Sequence, residues 1–202
     1  MKNSMLSILC AATLMACTKN ENTETMSTTD STMTMPATDS GMMATDSTMM
    51  GDMTGSAALS DQDKMFADKA ATGGMMEVML GVLAETNSTH DKVKSLGKMM
   101  VDDHTKANDE LKRWATAAGY NLPTALNADQ QKKYNDMQAM KGADFDKAYA
   151  DFMVTDHKEV IALFKKQAAE GSDSNLKSFA SKTVPTLEQH LTASEEAKNA
   201  VK

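Results

Sequence analysis

Residues 93–123 read VKSLGKMMVDDHTKANDELKRWATAAGYNLP, and this stretch decides the fold class. Its apolar and small residues recur at steps of three and four, which keeps them on one face of a helix. Gly119, with Pro123 shortly after it, is a standard helix stop. The stretch therefore predicts a long amphipathic helix whose buried stripe includes one polar residue, His104.

The same pattern predicts helices on both sides of this one. In chain order they span about residues 61–86, 89–118, 128–141, 143–170 and 174–200. Ser60, with Asp63 three residues on, has the layout of an N-cap for the first of them. The signals of strands, which are β-branched runs, alternation and hairpin dipeptides, are missing. Four long helices with two short turns and one long middle connection predict an all-α four-helix bundle.

Residues 1–17 carry a signal for export. Lys2 precedes an apolar stretch too short to span a bilayer, as in a secretory signal peptide. The last four residues of this segment, LMAC, resemble a bacterial lipobox, so we expect Cys17 to be lipidated and to anchor the protein to a membrane. Thr18 rather than Asp after the cysteine favours the outer membrane of the cell envelope. The sequence leaves open which face of that membrane and which protein partners are involved.

Residues 18–58 form a segment of different composition. They are rich in Met, Thr, Ser, Asp and Gly and lack aromatic residues, so they cannot bury a core. ATDSGMM at residues 37–43 is repeated as ATDSTMM at residues 44–50. We predict a disordered linker that tethers a folded domain spanning residues 59–202. Its methionines are soft ligands suited to Cu(I), but a tolerated expansion of a disordered repeat is the simpler interpretation.

Composition excludes several classes of protein. The chain has 21 Lys plus Arg against 28 Asp plus Glu and a net charge of -7, which is unlike a nucleic-acid-binding protein. Both cysteines lie in residues 1–17, so the folded part has neither a disulfide scaffold nor a thiolate zinc cluster. No nucleophile-elbow serine or glycine-rich phosphate loop occurs, and the sequence therefore favours a role other than catalysis.

Polar residues interrupt the apolar stripes of the four long helices at one position each: Glu77, His104, His157 and His190. MVDDH at residues 100–104 is echoed by MVTDH at residues 153–157, so two helices carry histidine in the same local context. If these two helices run parallel, the histidines lie at one depth. Counted from the short turns, Glu77 and His190 then lie within about 7 Å of the two histidines along the bundle axis, a distance that side chains can span.

This convergence predicts a site for one divalent transition metal. Nitrogen and oxygen ligands suit Fe, Zn, Cu or Mn, and the sequence does not choose among them. Asp103 and Asp156 each precede a histidine, and we expect each to hydrogen-bond an imidazole of a neighbouring helix and so fix its tautomer. The alternative is a metal-free network of Asp and His that satisfies its own hydrogen bonds. The protein would then be a non-catalytic structural or interaction module.

Residues 64–191 resemble the bacterial domain-of-unknown-function family 4142, whose members are ferritin-like envelope proteins. The resemblance is carried by AATGGMMEVMLGVLA at residues 70–84, the stretch 93–123, FDKAYADFMVTDHKEVIALFKKQA at residues 145–168, and VPTLEQHL at residues 184–191. It implies a ferritin-like bundle without an assigned activity. Ferritin-like di-iron proteins place Glu three residues before His on two helices. This chain has Val101 and Val154 there, which favours one metal ion over two.

Overall fold

The computed structural model describes residues 58–202, and helices make up most of this range. The helices are α1 (Asp61–Asn87), α2 (Asp91–Ala118), α3 (Ala128–Gln138), α4 (Gly142–Glu170) and α5 (Ser174–Ala200). No strand occurs within the described residues, so the all-α prediction is confirmed there. The predicted signal peptide, Cys17 and nearly all of the predicted linker lie outside the described residues.

The boundary between α3 and α4 differs from the predicted one. The sequence pattern extends the short helix to residue 141, whereas α3 ends at Gln138. The side-chain amide of Asn87 donates to the carbonyl of Gln138 at 3.4 Å and to that of Met140 at 3.0 Å, so these groups bond outside a helix. Gly142 then has a φ of 59°, which turns the chain into α4. A contact with another helix thus ends α3.

The four long helices pack as two hairpins, α1 with α2 and α4 with α5, and α1 also packs on α4 and α2 on α5. Hydrogen bonds between helix ends define their directions. Gln167, near the end of α4, donates to Asp63 at the start of α1 at 2.6 Å. Trp114, near the end of α2, donates to Asp173 at the N-cap of α5 at 3.1 Å. Neighbouring long helices are therefore antiparallel, and the diagonal pair α2 and α4 is parallel.

Two apolar clusters fill the interior, one towards each end. The cluster near the turn between α1 and α2 includes Leu80, Leu96, Met100, Phe145, Tyr149 and Met153. The cluster near the turn between α4 and α5 includes Phe66, Leu111, Ile161, Phe164, Phe179 and Leu187. Both clusters take residues from all four long helices, so they define how the helices are aligned along the bundle.

Two glycines let α1 and α2 approach closely. A Cβ at Gly97 would lie 2.6 Å from the Cβ of Ala84 and 2.8 Å from the carbonyl oxygen of Gly81. A Cβ at Gly81 would lie 2.6 Å from the carbonyl oxygen of Gly97. Since these neighbours are mostly backbone atoms, they cannot move aside as the end of a flexible side chain can.

Gly97→Ala should therefore lower the free energy of unfolding by about 1–3 kcal/mol, because the crowding outweighs the better helix propensity of alanine. Gly73→Ala is the matched control, since a Cβ there meets no atom within 4 Å. That substitution should raise the free energy of unfolding by up to about 1 kcal/mol. Urea unfolding at pH 7 measures both. Equal midpoints for the two variants would contradict this account of the helix contact.

Candidate metal centre

Four buried polar side chains lie between the two apolar clusters, and we call them the polar layer. They are Glu77 on α1, His104 on α2, His157 on α4 and His190 on α5. Their exposed fractions are 2%, 6%, 0% and 1%, respectively. The structure thus brings together the four residues that interrupt the apolar stripes.

The alignment of this layer follows from the packing on either side of it. On α2, His104 comes between Met100 of one apolar cluster and Leu111 of the other. On the parallel helix α4, His157 comes between Met153 and Ile161 in the same way. Because the apolar residues bind the helices in one register, the polar residues between them meet at one level.

Each imidazole has one ring nitrogen held by an acceptor. Nδ1 of His104 lies 3.0 Å from Oε2 of Glu77, and Nδ1 of His157 lies 2.9 Å from the carbonyl oxygen of Met153. Nε2 of His190 lies 3.1 Å from Oδ2 of Asp103. A carbonyl oxygen and an ionised carboxylate only accept, so with Glu77 and Asp103 ionised each of these nitrogens carries the proton and donates. The tautomer of every histidine in the layer is thereby defined.

The other nitrogen of each ring has no partner. Nε2 of His104, Nε2 of His157 and Nδ1 of His190 are buried and form no hydrogen bond. The rings are close together, with centroids 5.2–6.0 Å apart. One nitrogen from each histidine lies within 4.8 Å of the other two. Three such nitrogens with free lone pairs are a donor set that a transition metal can use.

Burial also keeps these imidazoles neutral. Loss of hydration lowers the pKa of His104 to about 4, although the nearby carboxyl groups of Asp156 and Asp103 favour its charged form. Burial likewise lowers the pKa of His157 and of His190, and positive charge on the neighbouring His104 would lower both further. At pH 7 protons therefore do not compete strongly with a metal for these nitrogens.

The pKa values of the carboxyl groups at the site are shifted in different directions. Burial raises the pKa of Glu77. Burial, followed by the negative charge of Glu77, raises the pKa of Asp156 to about 8. Burial works in the same direction on Asp103, but hydrogen bonds from His190 and Lys106 outweigh it and lower the pKa of that carboxyl.

Asp103 and Asp156 therefore occupy different surroundings despite their identical place in the repeated motif. Asp103 contacts an imidazole of a neighbouring helix, His190, as the sequence pattern predicts. The carboxyl of Asp156 has a different neighbour and lies beside Glu77 of α1 and His157 of its own helix, with ligand atoms within 4.8 Å of one another. The reason is topological, since α4 packs against α1, and the polar-layer residue of α1 is a glutamate.

Tyr149 is a polar group that the stripe pattern treats as an ordinary core position. It lies on α4 two turns before His157, and its side chain is fully buried. Its hydroxyl has no hydrogen-bond partner. Burial, with the negative charge of nearby Glu77, raises its pKa, so the hydroxyl stays protonated. The only sequence signal for it is the helical spacing that puts it on the same face as His157.

A small cavity adjoins the site. Its volume is about 30 Å³, and Glu77, His104 and Gly73 are among the residues that line it. A space of this size holds a single water molecule or ion.

Comparisons with known proteins agree with the resemblance seen in the sequence. The family described as "Domain of unknown function (DUF4142)" matches residues 48–197. A comparison with the curated proteins gives no significant match. Among the residues of this structure, no helix has both the length and the hydrophobicity needed to cross a membrane.

Two solved structures have a similar fold. The crystal structure of a DUF305 fragment from Deinococcus radiodurans gives a TM-score of 0.62 at 10% identity and covers 70% of this chain and 98% of that chain. A structure described as CopM in the Ag-bound form gives a TM-score of 0.54 at 12% identity and covers 66% of this chain and 93% of that chain. At these identities the similarity concerns the helical fold.

Proposed function

Because this chain belongs to the DUF4142 family, which is defined only as a domain of unknown function, we propose a function from the geometry of the polar layer. The protein binds a divalent transition metal in the core of a ferritin-like four-helix bundle. The ligands are His104, His157 and His190, with Glu77 beside them. The biological role that fits such a site is storage or buffering of the metal, or protection against metal stress.

The observation that carries this proposal is the set of three buried imidazole nitrogens without partners. Leaving a buried polar atom without a hydrogen bond costs about 1–3 kcal/mol. Three such atoms in one layer therefore lower the stability of the fold, whereas leucine at these positions would not. A metal ion would satisfy all three at once, and their opposite ring nitrogens are already held by acceptors, as in established carboxylate–histidine–metal arrangements.

Glu77 fits two roles in such a site. Its Oε2 accepts from His104 and orients that ring, while its Oε1 is buried without a partner and lies 3.5 Å from Nε2 of His157. The free oxygen gives the metal a fourth ligand. Asp103 holds His190 from the other side and acts as an orienting group.

The ligand types limit the choice of metal. Three imidazoles with one carboxylate suit Zn, Cu, Fe or Mn. The Ag-bound form of CopM, a protein of similar fold, adds soft monovalent ions to those worth testing.

The site would serve the cell envelope. The signal sequence and Cys17 support a protein that is anchored by lipid to the outer membrane, with residues 18–58 as a linker between the anchor and the bundle. In this arrangement the membrane is a partner through the lipid, and the bundle remains free to meet metal ions near the membrane surface.

A second function is favoured by the hydrogen bonds that the polar layer already makes. Glu77 pairs with His104, and Asp103 pairs with His190, through contacts between protein side chains. Such pairs could serve only to define how the helices align. The protein would then be a structural or interaction module whose partner binds elsewhere on the bundle.

Metal content distinguishes the two functions. The full chain, purified without chelator and reconstituted with each candidate ion, should hold about one metal ion per chain by elemental analysis, consistent with a closed three- or four-ligand site. His104→Ala together with His157→Ala should hold none. His90→Asn is the control, because His90 lies outside the layer as the N-cap of α2, and asparagine retains a capping side chain. Equal metal content in all three proteins, or none in any, would favour the structural module.

A further inference from the structure

A second set of potential metal ligands overlaps the first. Ligand atoms of Glu77, Asp156 and His157 lie within 4.8 Å of one another. His157 is common to this set and to the group formed by His104, His157 and His190, and Glu77, proposed above as the fourth ligand of that group, also belongs to this set. We refer to the two sets as the carboxylate position and the histidine position.

Unpartnered atoms point into the carboxylate position as well. Oε1 of Glu77 and Nε2 of His157 are buried and form no hydrogen bond, and these two side chains are 2% and 0% exposed. The third member, Asp156, is half-buried. Two carboxylates and one imidazole form a harder donor set than three imidazoles, and they suit Mn, Fe or Zn.

His157 cannot serve both positions at once. Its Nδ1 lies 2.9 Å from the carbonyl oxygen of Met153 and donates to it, which leaves Nε2 as its one free lone pair. One lone pair binds one metal ion. A metal ion in the carboxylate position therefore removes a ligand from the histidine position, and the reverse is also true.

The two positions face different grooves on the surface of the bundle. A groove of about 230 Å³ between α1, α3 and α4 is lined by Glu77 and Asp156 and by neither His104 nor His190. A groove of about 220 Å³ between α2 and α5 is lined by His104 and His190, with Asp103 among its other residues. A metal ion arriving through the groove beside α3 meets the carboxylates first.

We propose that Glu77, Asp156 and His157 form a second metal position, which an ion reaches from the groove beside α3. Occupancy of the two positions alternates because they share Nε2 of His157. This inference rests on the proposed function, since it requires that the three histidines bind a metal. It adds a role for Asp156 as a metal ligand.

Cobalt is a suitable probe because its visible absorption reports the ligands around it. The full wild-type chain should bind one Co²⁺. His104→Ala with His190→Ala removes two ligands of the histidine position and leaves the carboxylate position complete. This variant should still bind one Co²⁺, with a changed spectrum and an affinity about 10–100-fold weaker, the range typical of a damaged metal site.

An exposed aspartate of the first motif provides the control for the next step. Asp102 belongs to neither metal position, and its carboxylate pairs with Lys98 at 3.1 Å at the surface. In the His104→Ala, His190→Ala protein, Asp156→Asn should weaken Co²⁺ binding by a further factor of about ten or more, while Asp102→Asn should leave the affinity unchanged. If that double variant loses its helical circular dichroism, His190→Ala alone serves as the background.

The outcomes separate this inference from the function on which it rests. If wild type binds Co²⁺ and the variant without His104 and His190 does not, the histidine position stands and the carboxylate position is refuted. Equal effects of Asp156→Asn and Asp102→Asn also refute it. Two Co²⁺ ions per wild-type chain would overturn the sharing of His157. If neither wild type nor any variant binds Co²⁺, the proposed function itself fails.

Discussion

Zinc should raise the free energy of unfolding of this protein by about 4 kcal/mol when free zinc is about one thousand times the dissociation constant. The physical reason is that zinc, at the proposed site, would bind the folded chain, in which three imidazole nitrogens converge, and would find no such arrangement after unfolding. The unpartnered nitrogens of His104, His157 and His190 would gain a ligand bond each. Thermal and urea unfolding with and without zinc measure the effect.

Zinc is preferable to copper for this measurement. The methionines of residues 18–58 are thioethers that select Cu(I), and zinc has less affinity for them. The variant carrying His104→Ala and His157→Ala should show no stabilisation by zinc. A gain in this variant as large as in wild type would mean that zinc binds elsewhere, for example at surface carboxylates, and would contradict a site in the polar layer.

Asp63→Ala should lower the free energy of unfolding by about 3 kcal/mol, because it leaves one buried and three partly buried donors without their acceptor. Asp63 is fully buried at the start of α1. Its carboxylate accepts from the amide of Gln167 at 2.6 Å and from the backbone N–H groups of Ser172 and Asp173 at 3.1 and 3.2 Å. The hydroxyl of Ser60 donates to it at 2.6 Å. One side chain thus holds the beginning of α1 to the turn between α4 and α5.

Asp61 provides the control for this substitution. It lies in the same first turn of α1, but its side chain is fully exposed, and its ion pair with Lys64 spans 3.6 Å at the surface. Asp61→Ala should therefore change the free energy of unfolding by less than about 0.5 kcal/mol. Urea unfolding of the two variants beside wild type gives both values. A loss of similar size in both would show that the charge of the first turn, and not the buried hydrogen bonds, is responsible.

The contribution of Asp63 should depend on pH. Burial works to raise the pKa of this carboxyl, but the hydrogen bonds from Ser60, Gln167 and the two backbone N–H groups outweigh it, and the net pKa is lowered. A carboxyl whose pKa is lower in the folded chain stabilises the fold above its unfolded pKa of about 4. The difference between wild type and Asp63→Ala should therefore be complete at pH 7 and should shrink as the pH falls below about 4.

Much of the fold could be predicted from the sequence because helices are local. The apolar steps of three and four, the cap at Ser60 and the stop at Gly119 each depend on a few neighbouring residues. The short connections also predict which helices form hairpins. The end of α3 could not be predicted in this way, because the side chain of Asn87, distant in sequence, bonds to the carbonyls beyond it.

The candidate site could likewise be predicted from the sequence only in part. Glu77, His104, His157 and His190 could be named because a polar residue that interrupts an apolar stripe is visible in the sequence. The surroundings of Asp103 and Asp156 could not be told apart, since the two residues precede their histidines in the same motif. Asp103 meets a histidine and Asp156 meets a glutamate because Asp103 lies on the side of α2 next to α5, whereas Asp156 lies on the side of α4 next to α1.

The sequence by itself determined the helices, their buried faces, the four polar positions on those faces and the family to which the chain belongs. These properties follow from spacing along the chain, because the 3.6-residue period of a helix determines the face on which each side chain lies. Only the tertiary structure decided which nitrogen of each histidine is free, which carboxyl contacts which ring, and that Asp63 holds the beginning of α1 to the turn between α4 and α5. Those features depend on distances between helices, and the packing of residues far apart in sequence sets those distances.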